Sequence, residues 1–148
     1  MDAASGLFGL TSMDGVVEVL PGSYPTALSP CAGWPTSYCV PSNVTVLAAS
    51  GAELDGGGGF GSAFGIAMGA TNITLDGFTV TNYANETGGG DVGNGVISWD
   101  TGASNVTIRG FTMSNLGWNG VLVGSDDGST QSGWLVEAAS CAKTPGKS

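Results

Sequence analysis

The stretch TNITLDGFTVTN (Thr71–Asn82) determines how this chain folds, because SNVTIRGFTMSN (Ser104–Asn115) repeats it closely 33 residues later. In both copies apolar residues alternate with polar ones on each side of a glycine, Gly77 or Gly110. Alternation with a period of two is typical of a β-strand with one buried face. Each copy therefore predicts two short strands joined by a glycine corner.

Three further stretches fit the same frame, and strand-like segments lie between the copies. The added copies are GVVEVLPGSY (Gly15–Tyr24), SNVTVLAASGAE (Ser42–Glu53) and SGWLVEAASCAK (Ser132–Lys143). The segments between copies are GIAM (Gly65–Met68), GVISW (Gly95–Trp99) and GVLVG (Gly120–Gly124). The first inward apolar residue of each copy falls at Val17, Val44, Ile73, Val106 and Trp134, in steps of 27–33 residues. Each period therefore predicts three short strands.

A unit of three short strands cannot bury its apolar face alone, but stacked copies can. The sequence predicts an all-β fold, a single parallel β-helix (solenoid) domain over residues 1–148 with about five coils. We expect residues 1–15 to form an N-terminal cap with a short helix, 16–143 to form the coils and 144–148 to form a tail. The last coil has no evident cap, which predicts either a fragment of a longer β-helix or self-association through the uncapped end.

Composition and charge exclude several classes of protein. The chain has 27 glycines, only 10 % charged residues, and a net charge of −9 with three basic residues. So few cations argue against binding to nucleic acid or to an anionic membrane surface. No apolar run approaches the roughly 18 residues of a spanning helix. The start, MDAASGLFGL, has no basic region typical of a secretory leader.

The N-[VI]-T-[LVI]-x-G-F-T copies and the VVEVLPGSY opening resemble the right-handed parallel β-helix proteins of the pectate-lyase-like superfamily. The resemblance covers roughly Val16 to Lys143. It implies an extracellular or cell-surface protein that handles an extended polysaccharide. If the protein is an enzyme, the resemblance implies a polysaccharide lyase or a glycoside hydrolase.

Asp76 in the first copy is replaced by Arg109 at the matching place in the second, and the alignment adds Leu47 and Glu137 to the same column. Arg109 should therefore lie between two carboxylates, one coil away on each side. One interpretation is an ionic ladder that fixes the register. The other is a catalytic Arg109 with Asp76, since β-helix lyases use a basic residue to abstract a proton beside a uronate carboxylate.

GSDDG (Gly124–Gly128) places Asp126 and Asp127 on a loop after a strand. The pair is compatible with an Asp-Gly turn, with a Ca²⁺ site, or with an acid and a base in catalysis. The pair is similar to that of β-helix polygalacturonases, but the NTD, GHG and RIK segments of that family are missing and the chain has no His. Ca²⁺ is the one cofactor that the sequence suggests.

Aromatic and cysteine residues give further candidates. Trp99 and Trp118 are candidate platforms for sugar stacking, and Asn119 beside Trp118 is a candidate for substrate binding. Trp134 aligns with inward residues and should pack in the core. Cys31 and Cys39 flank a loop rich in Trp and Pro, and either form a disulfide or remain two thiols.

Asn and Thr recur in columns. Asn82 and Asn115 share a column in which stacked amides are expected to form a hydrogen-bonded ladder. Asn43, Asn72 and Asn105 begin N-x-T sequons, yet are better explained as corner residues, which leaves Asn85 as the plausible glycan acceptor. Outward threonines form two columns, one with Thr74 and Thr107 and the other with Thr79 and Thr112. They resemble the ice-binding face of antifreeze β-helices, although β-propensity also explains them.

These observations favour an extracellular carbohydrate-active module that binds an extended polysaccharide along its coils and is a candidate to cleave it. The alternative is a non-catalytic structural or surface module of the adhesin, cell-wall or phage-spike type. Ice binding is a third and more distant interpretation.

Overall fold

The computed structural model describes residues 15–25, 31, 37–59, 61–84 and 92–142. Three parallel sheets form the three sides of a solenoid. Sheet 1 consists of β1 (Gly15–Val19), β4 (Val44–Ala48), β7 (Thr71–Asp76), β10 (Ser104–Arg109) and β13 (Ser132–Glu137). Sheet 2 consists of β2 (Gly22–Tyr24), β5 (Ala52–Asp55), β8 (Thr79–Tyr83), β11 (Thr112–Leu116) and β14 (Ser140–Ala142). Sheet 3 consists of β3 (Tyr38–Val40), β6 (Phe64–Ile66), β9 (Val96–Trp99) and β12 (Val121–Gly124).

This architecture confirms the predicted all-β parallel solenoid, and the number of coils differs slightly from the prediction. The strands complete about four turns of the solenoid rather than five. The fifth copy supplies only β13 and β14, and the described part of the chain has no third strand after them. The expected capping helix and tail lie outside the described residues.

The register of the two central copies is as the repeat predicts, whereas the first copy is shifted by two residues. Ile73 pairs with Val44 and with Val106, and Val106 pairs with Trp134. In the first coil, Gly15 rather than Val17 pairs with Val44. Val17 instead shares the next inward column with Val46, because β1 has the same inward alternation two residues later and alternation alone cannot distinguish the two registers.

Inward residues stack in columns along the solenoid and form one continuous core. One column contains Val46, Leu75 and Ile108, each no more than 1 % exposed. Phe78 and Phe111 follow the corner glycines and meet Phe64 of sheet 3, with ring centroids 4.9–6.0 Å apart. Burial of such a side chain contributes about 1.5–3 kcal/mol, so repetition of the pattern supplies most of the stability.

The corners between strands are built by residues in the left-handed backbone region. Asn72 and Asn105, one residue into sheet 1 strands, have φ of 59° and 53°, and Asn82 and Asn115 near the ends of sheet 2 strands have 61° and 52°. Asn tolerates this conformation better than most residues because its short amide side chain bonds locally. The recurrence of Asn at these places is therefore a backbone requirement as well as a side-chain one.

Candidate functional site

The sequence-predicted site residues lie on three different corners of the coil. Asp76 and Arg109 end their strands at the corner between sheets 1 and 2. Trp118 and Asn119 lie at the corner between sheets 2 and 3. Trp99, Asp126 and Asp127 lie at the corner between sheets 3 and 1. The structure therefore brings Asp76 to Arg109 and Trp99 to Asp126, but it does not unite the basic residue with the Asp pair.

Arg109 occupies the same column as Asp76 and Glu137, one coil away on each side. Its Nε donates a 2.8 Å hydrogen bond to Oδ2 of Asp76. The pair is open to solvent, with 46 % and 31 % of the two side chains exposed. The hydrogen bond and the charge of Asp76, with a smaller contribution from Glu137, raise the pKa of Arg109. A guanidinium held in this way is a poor proton acceptor, so the geometry favours the ladder.

The Asp pair is part of a hydrogen-bonded loop. Oδ1 of Asp127 accepts hydrogen bonds from the Ser129 backbone N–H (2.7 Å) and the Ser125 hydroxyl (2.9 Å). The Ser129 contacts, followed by that of Ser125, lower the pKa of Asp127. Oδ1 of Asp100 accepts hydrogen bonds from the backbone N–H groups of Asp126 and Asp127, at 2.6 and 3.1 Å. Within the described ranges, no three His, Cys, Asp or Glu side chains are grouped to hold a metal ion. These contacts favour the turn interpretation.

Trp99 packs across the next coil rather than standing free. It pairs in register with Gly124, and a Cβ at Gly124 would overlap its ring. Its Nε1 donates a 3.2 Å hydrogen bond to Oδ2 of Asp126. The absence of a side chain at Gly124 thus creates the space for the indole, which joins one coil to the loop of the next.

The outward side of sheet 2 carries a row of hydroxyl and amide groups. We call it the hydroxyl face and define it by Thr79, Thr81, Thr112, Ser114, Asn82 and Asn115. The hydroxyls of Thr81 and Ser114 lie 3.1 Å apart, and Nδ2 of Asn115 donates to Oδ1 of Asn82 at 2.6 Å. The predicted Asn82–Asn115 ladder is therefore present.

Asp55 extends this ladder toward the N-terminal end. Nδ2 of Asn82 donates a 3.0 Å hydrogen bond to Oδ1 of Asp55, and the backbone N–H of Gly57 donates to the same oxygen at 2.8 Å. These two hydrogen bonds, first that of Asn82, lower the pKa of Asp55. Sequence alignment did not reveal Asp55 as a member, because a longer corner separates β4 from β5 than separates β7 from β8.

Trp118 lies at the C-terminal edge of the hydroxyl face and is 50 % exposed. Its backbone N–H donates to the carbonyl of Gly93 at 3.0 Å, which fixes the corner on which the indole is presented. Asn119 is part of the same corner, where its backbone N–H donates to Oδ1 of Asn94 at 3.2 Å. Trp118 is therefore an exposed aromatic residue two positions beyond the end of β11, the strand that carries Thr112 and Ser114.

Gln131 holds a polar cluster that the sequence did not single out. Its Nε2 group donates hydrogen bonds to the carbonyls of Ser98 and Gly124 at 2.8 and 2.5 Å, and its Oε1 accepts hydrogen bonds from the hydroxyls of Ser98 and Thr101. Ser98 and Thr101 are buried, so Gln131 satisfies polar groups inside a corner. The signal that could have revealed this cluster is a polar residue in an inward column, Ser98, which lies between Ile66 and Val123.

Cys31 and Cys39 are joined by a disulfide, with Cα atoms 5.1 Å apart. Cys39 lies in β3, so the disulfide fastens Cys31 to sheet 3. Gly65 in the adjacent strand makes room for it, since a Cβ there would lie 2.9 Å from the Cβ of Cys31.

Comparison with protein-family models, with curated proteins and with solved structures gave no significant match to this chain. Among the described residues, no helix is long and apolar enough to cross a membrane.

Proposed function

We propose that this protein binds a neutral polysaccharide along the hydroxyl face and does not cleave it. The observation that carries this proposal is the row of hydroxyl and amide groups on sheet 2, which repeats at the strand spacing of about 4.8 Å and is flanked by the exposed indole of Trp118. Hydroxyls both donate and accept hydrogen bonds, as sugar hydroxyls do. An indole offers the flat apolar area on which a sugar ring stacks.

The charge of the protein favours a neutral ligand over a uronate. The net charge is −9. Arg109, the one cation in the described part of the chain, is already hydrogen-bonded to Asp76. A polyuronate would approach a surface of its own sign, and among the described residues it would find no free guanidinium or ammonium group to pair with its carboxylates. A neutral glycan has no such penalty.

The remaining parts of the proposal are an extracellular or cell-surface location and an architecture shared with the pectate-lyase-like superfamily. The Cys31–Cys39 disulfide supports the location, since disulfides persist in oxidising compartments. The repeated three-strand coil supports the architecture. Separation of Arg109 from Asp126 and Asp127 on different corners supports binding rather than cleavage.

Native gels that contain soluble glycans test the proposal. We expect at least one neutral glycan, such as a xylan or a β-glucan, to retard the protein, and polygalacturonate to have no effect with or without Ca²⁺. Trp118→Ala and the pair Thr79→Ala with Thr112→Ala should each weaken binding about 10-fold, a loss of about 1.4 kcal/mol.

The matched control is Thr74→Ala with Thr107→Ala, which removes the equivalent hydroxyls from sheet 1. This control should bind as the parent does. Equal losses from both pairs, lack of retardation by every neutral glycan, or release of unsaturated uronate from polygalacturonate would each contradict the proposal.

A structural or surface module is the second candidate, favoured by one observation. Many outward side chains bond to one another along the axis, as in the Asn43–Asn72–Asn105 ladder with hydrogen bonds of 3.1 and 3.4 Å. Such ladders stiffen a rod without any ligand. Unchanged mobility in every glycan gel, together with high thermal stability, would support this candidate.

A further inference from the structure

Exposed large apolar side chains concentrate at the two ends of the solenoid. Five of the seven in the described residues belong to the first or last coil: Val16, Leu20, Val123, Leu135 and Val136. Val136 continues the inward column of Leu75 and Ile108, yet it is 48 % exposed. The C-terminal end of the described solenoid is therefore a cross-section of the core with open strand edges.

The last three strands form a ramp. Three strands make one coil, so each strand lies roughly one third of a strand spacing further along the axis than the one before it. Along the axis toward the C-terminal end, β12 on sheet 3 therefore extends least far, β13 on sheet 1 is intermediate, and β14 on sheet 2 extends furthest. Each pairs with the previous coil on one side, and the described residues provide no strand on the other side.

This ramp is complementary to itself. A twofold axis perpendicular to the solenoid and through the middle of sheet 1 exchanges sheets 2 and 3. It places β12 opposite β14 of a second copy, and β13 opposite β13. The distance between facing strands of the two copies is then the same on all three sides, about one strand spacing of 4.8 Å. Any three-sided coil end has this geometry, so the residues that face each other across the gaps decide whether the contact forms.

We propose that two copies of this chain associate through their C-terminal coils about this twofold axis, with β13 pairing antiparallel to β13 of the second copy around Leu135. In this register Leu135 lies opposite itself, and Trp134 lies opposite Val136. Glu137 lies opposite Gly133, so no like charges face each other directly. Cys141 of β14, which shares the inward column of Met113, meets the inward residues of β12. The result is one core that continues through both copies.

Head-to-tail stacking is the competing arrangement, and charge opposes it. Continuing sheet 1 in parallel register would place Val16 over Leu135 but Glu18 over Glu137. Stacked carboxylates at the strand spacing repel each other. This contact would also be heterologous and open-ended, and would generate filaments. The twofold contact closes at two copies.

Light scattering on the intact chain tests the inference. We expect a concentration-dependent mass that reaches twice 14.6 kDa. Salt should strengthen the dimer, because Glu137 and the loop with Asp126 and Asp127 lie near the contact between the two copies. Leu135→Lys places two ammonium groups opposite each other and should weaken the dimer about 100-fold.

Two control variants separate the arrangements. Thr107→Lys adds the same charge in the same column one coil earlier and should leave the dimer intact. Val16→Lys lies at the other end of the solenoid, so it should leave the twofold dimer intact but disrupt head-to-tail assembly. Circular dichroism checks that each variant is folded.

A crosslink gives an independent measurement. In a Cys141→Ser background, Leu135→Cys should form a disulfide-linked dimer on mild oxidation, since opposite Cβ atoms lie about 4.5–5.5 Å apart. Thr107→Cys should not. A monomeric mass at every concentration and salt, absence of the crosslink, or assembly that Val16→Lys abolishes and Leu135→Lys does not would overturn the inference.

Discussion

Arg109 donates a 2.8 Å hydrogen bond to Asp76, the residue at the matching position one coil earlier. Glu137 lies in the same column on the other side, so Arg109 lies between two carboxylates, each one strand away. The column is exposed, and its contribution therefore depends on ionic strength.

Arg109→Gln should lower the melting temperature slightly at low salt and hardly at all in 1 M NaCl. Arg109→Glu should lower it clearly more, because three carboxylates then follow one another in successive coils. Thermal melts at both salt concentrations measure the difference. Equal effects of the two substitutions at low salt would mean that charge in this column does not matter.

Asn82 is held by both its backbone and its side chain, and two substitutions separate the contributions. Asn82→Ala keeps a Cβ at φ 61° but removes the amide that offsets this conformation and bonds to Asp55 and Asn115, so it should destabilise the fold by about 2–3 kcal/mol. Asn82→Gly loses the same hydrogen bonds without the steric cost. It should be about 1 kcal/mol less destabilising than Asn82→Ala in urea denaturation. The reverse order would contradict the backbone explanation.

Tyr83 is fully buried, and its hydroxyl has no hydrogen-bond partner among the described residues. Burial raises the pKa of Tyr83, as expected for a phenol surrounded by the core. Tyr83→Phe should therefore leave stability unchanged or raise it by up to about 1 kcal/mol, since no bond is lost. Tyr38 is the matched control, because its hydroxyl donates a 2.6 Å hydrogen bond to the carbonyl of Pro25.

Tyr38→Phe should destabilise by about 1 kcal/mol in the same denaturation experiment. A comparable loss from Tyr83→Phe would contradict this explanation and would mean that the buried phenol has a hydrogen-bond partner in solution.

Acid should weaken the protein through Asp55. Its pKa in the folded state lies below the usual 3.8, first because of the Asn82 hydrogen bond and then because of Gly57. In the window between the folded and unfolded values the unfolded chain binds more protons, so the contribution of Asp55 is complete above about pH 4 and disappears as the pH falls through the folded pKa. Carboxyl NMR titration should give a midpoint below 3.8 for Asp55 and a higher midpoint in Asn82→Gly.

The fold was largely predictable because the repeat supplied its own alignment. Once Ile73 and Val106 share a column, the corner glycines and the Asp76–Arg109–Glu137 column follow from period-two alternation. The first coil was not predictable in register, because Val16–Val19 offers two similar alternations. The alignment of β5 with β8 was also hidden from the sequence, because the corner before β5 is one residue longer than the corner before β8.

The candidate surface was less predictable than the fold. Sequence spacing identified Thr79, Thr112 and Trp118 separately, but which corner each one occupies depends on the three-sided path of the coil. Contacts across corners, such as Trp99 over Gly124, depend on a position without a side chain. An alternation pattern does not distinguish a glycine that provides space from one that makes a bend.

Equal register in β7 and β10, and again in β8 and β11, has a consequence for how such a chain changes in length. Because Ser104 repeats the surroundings of Thr71, excision of residues 71–103 would join Ala70 to Ser104 and leave every remaining column matched. Duplication of the same segment would likewise add one coil with every column matched. A gene for this rod can thus grow or shrink by tandem recombination in whole modules, and the hydroxyl face, where we propose that a glycan binds, would lengthen in the same increments.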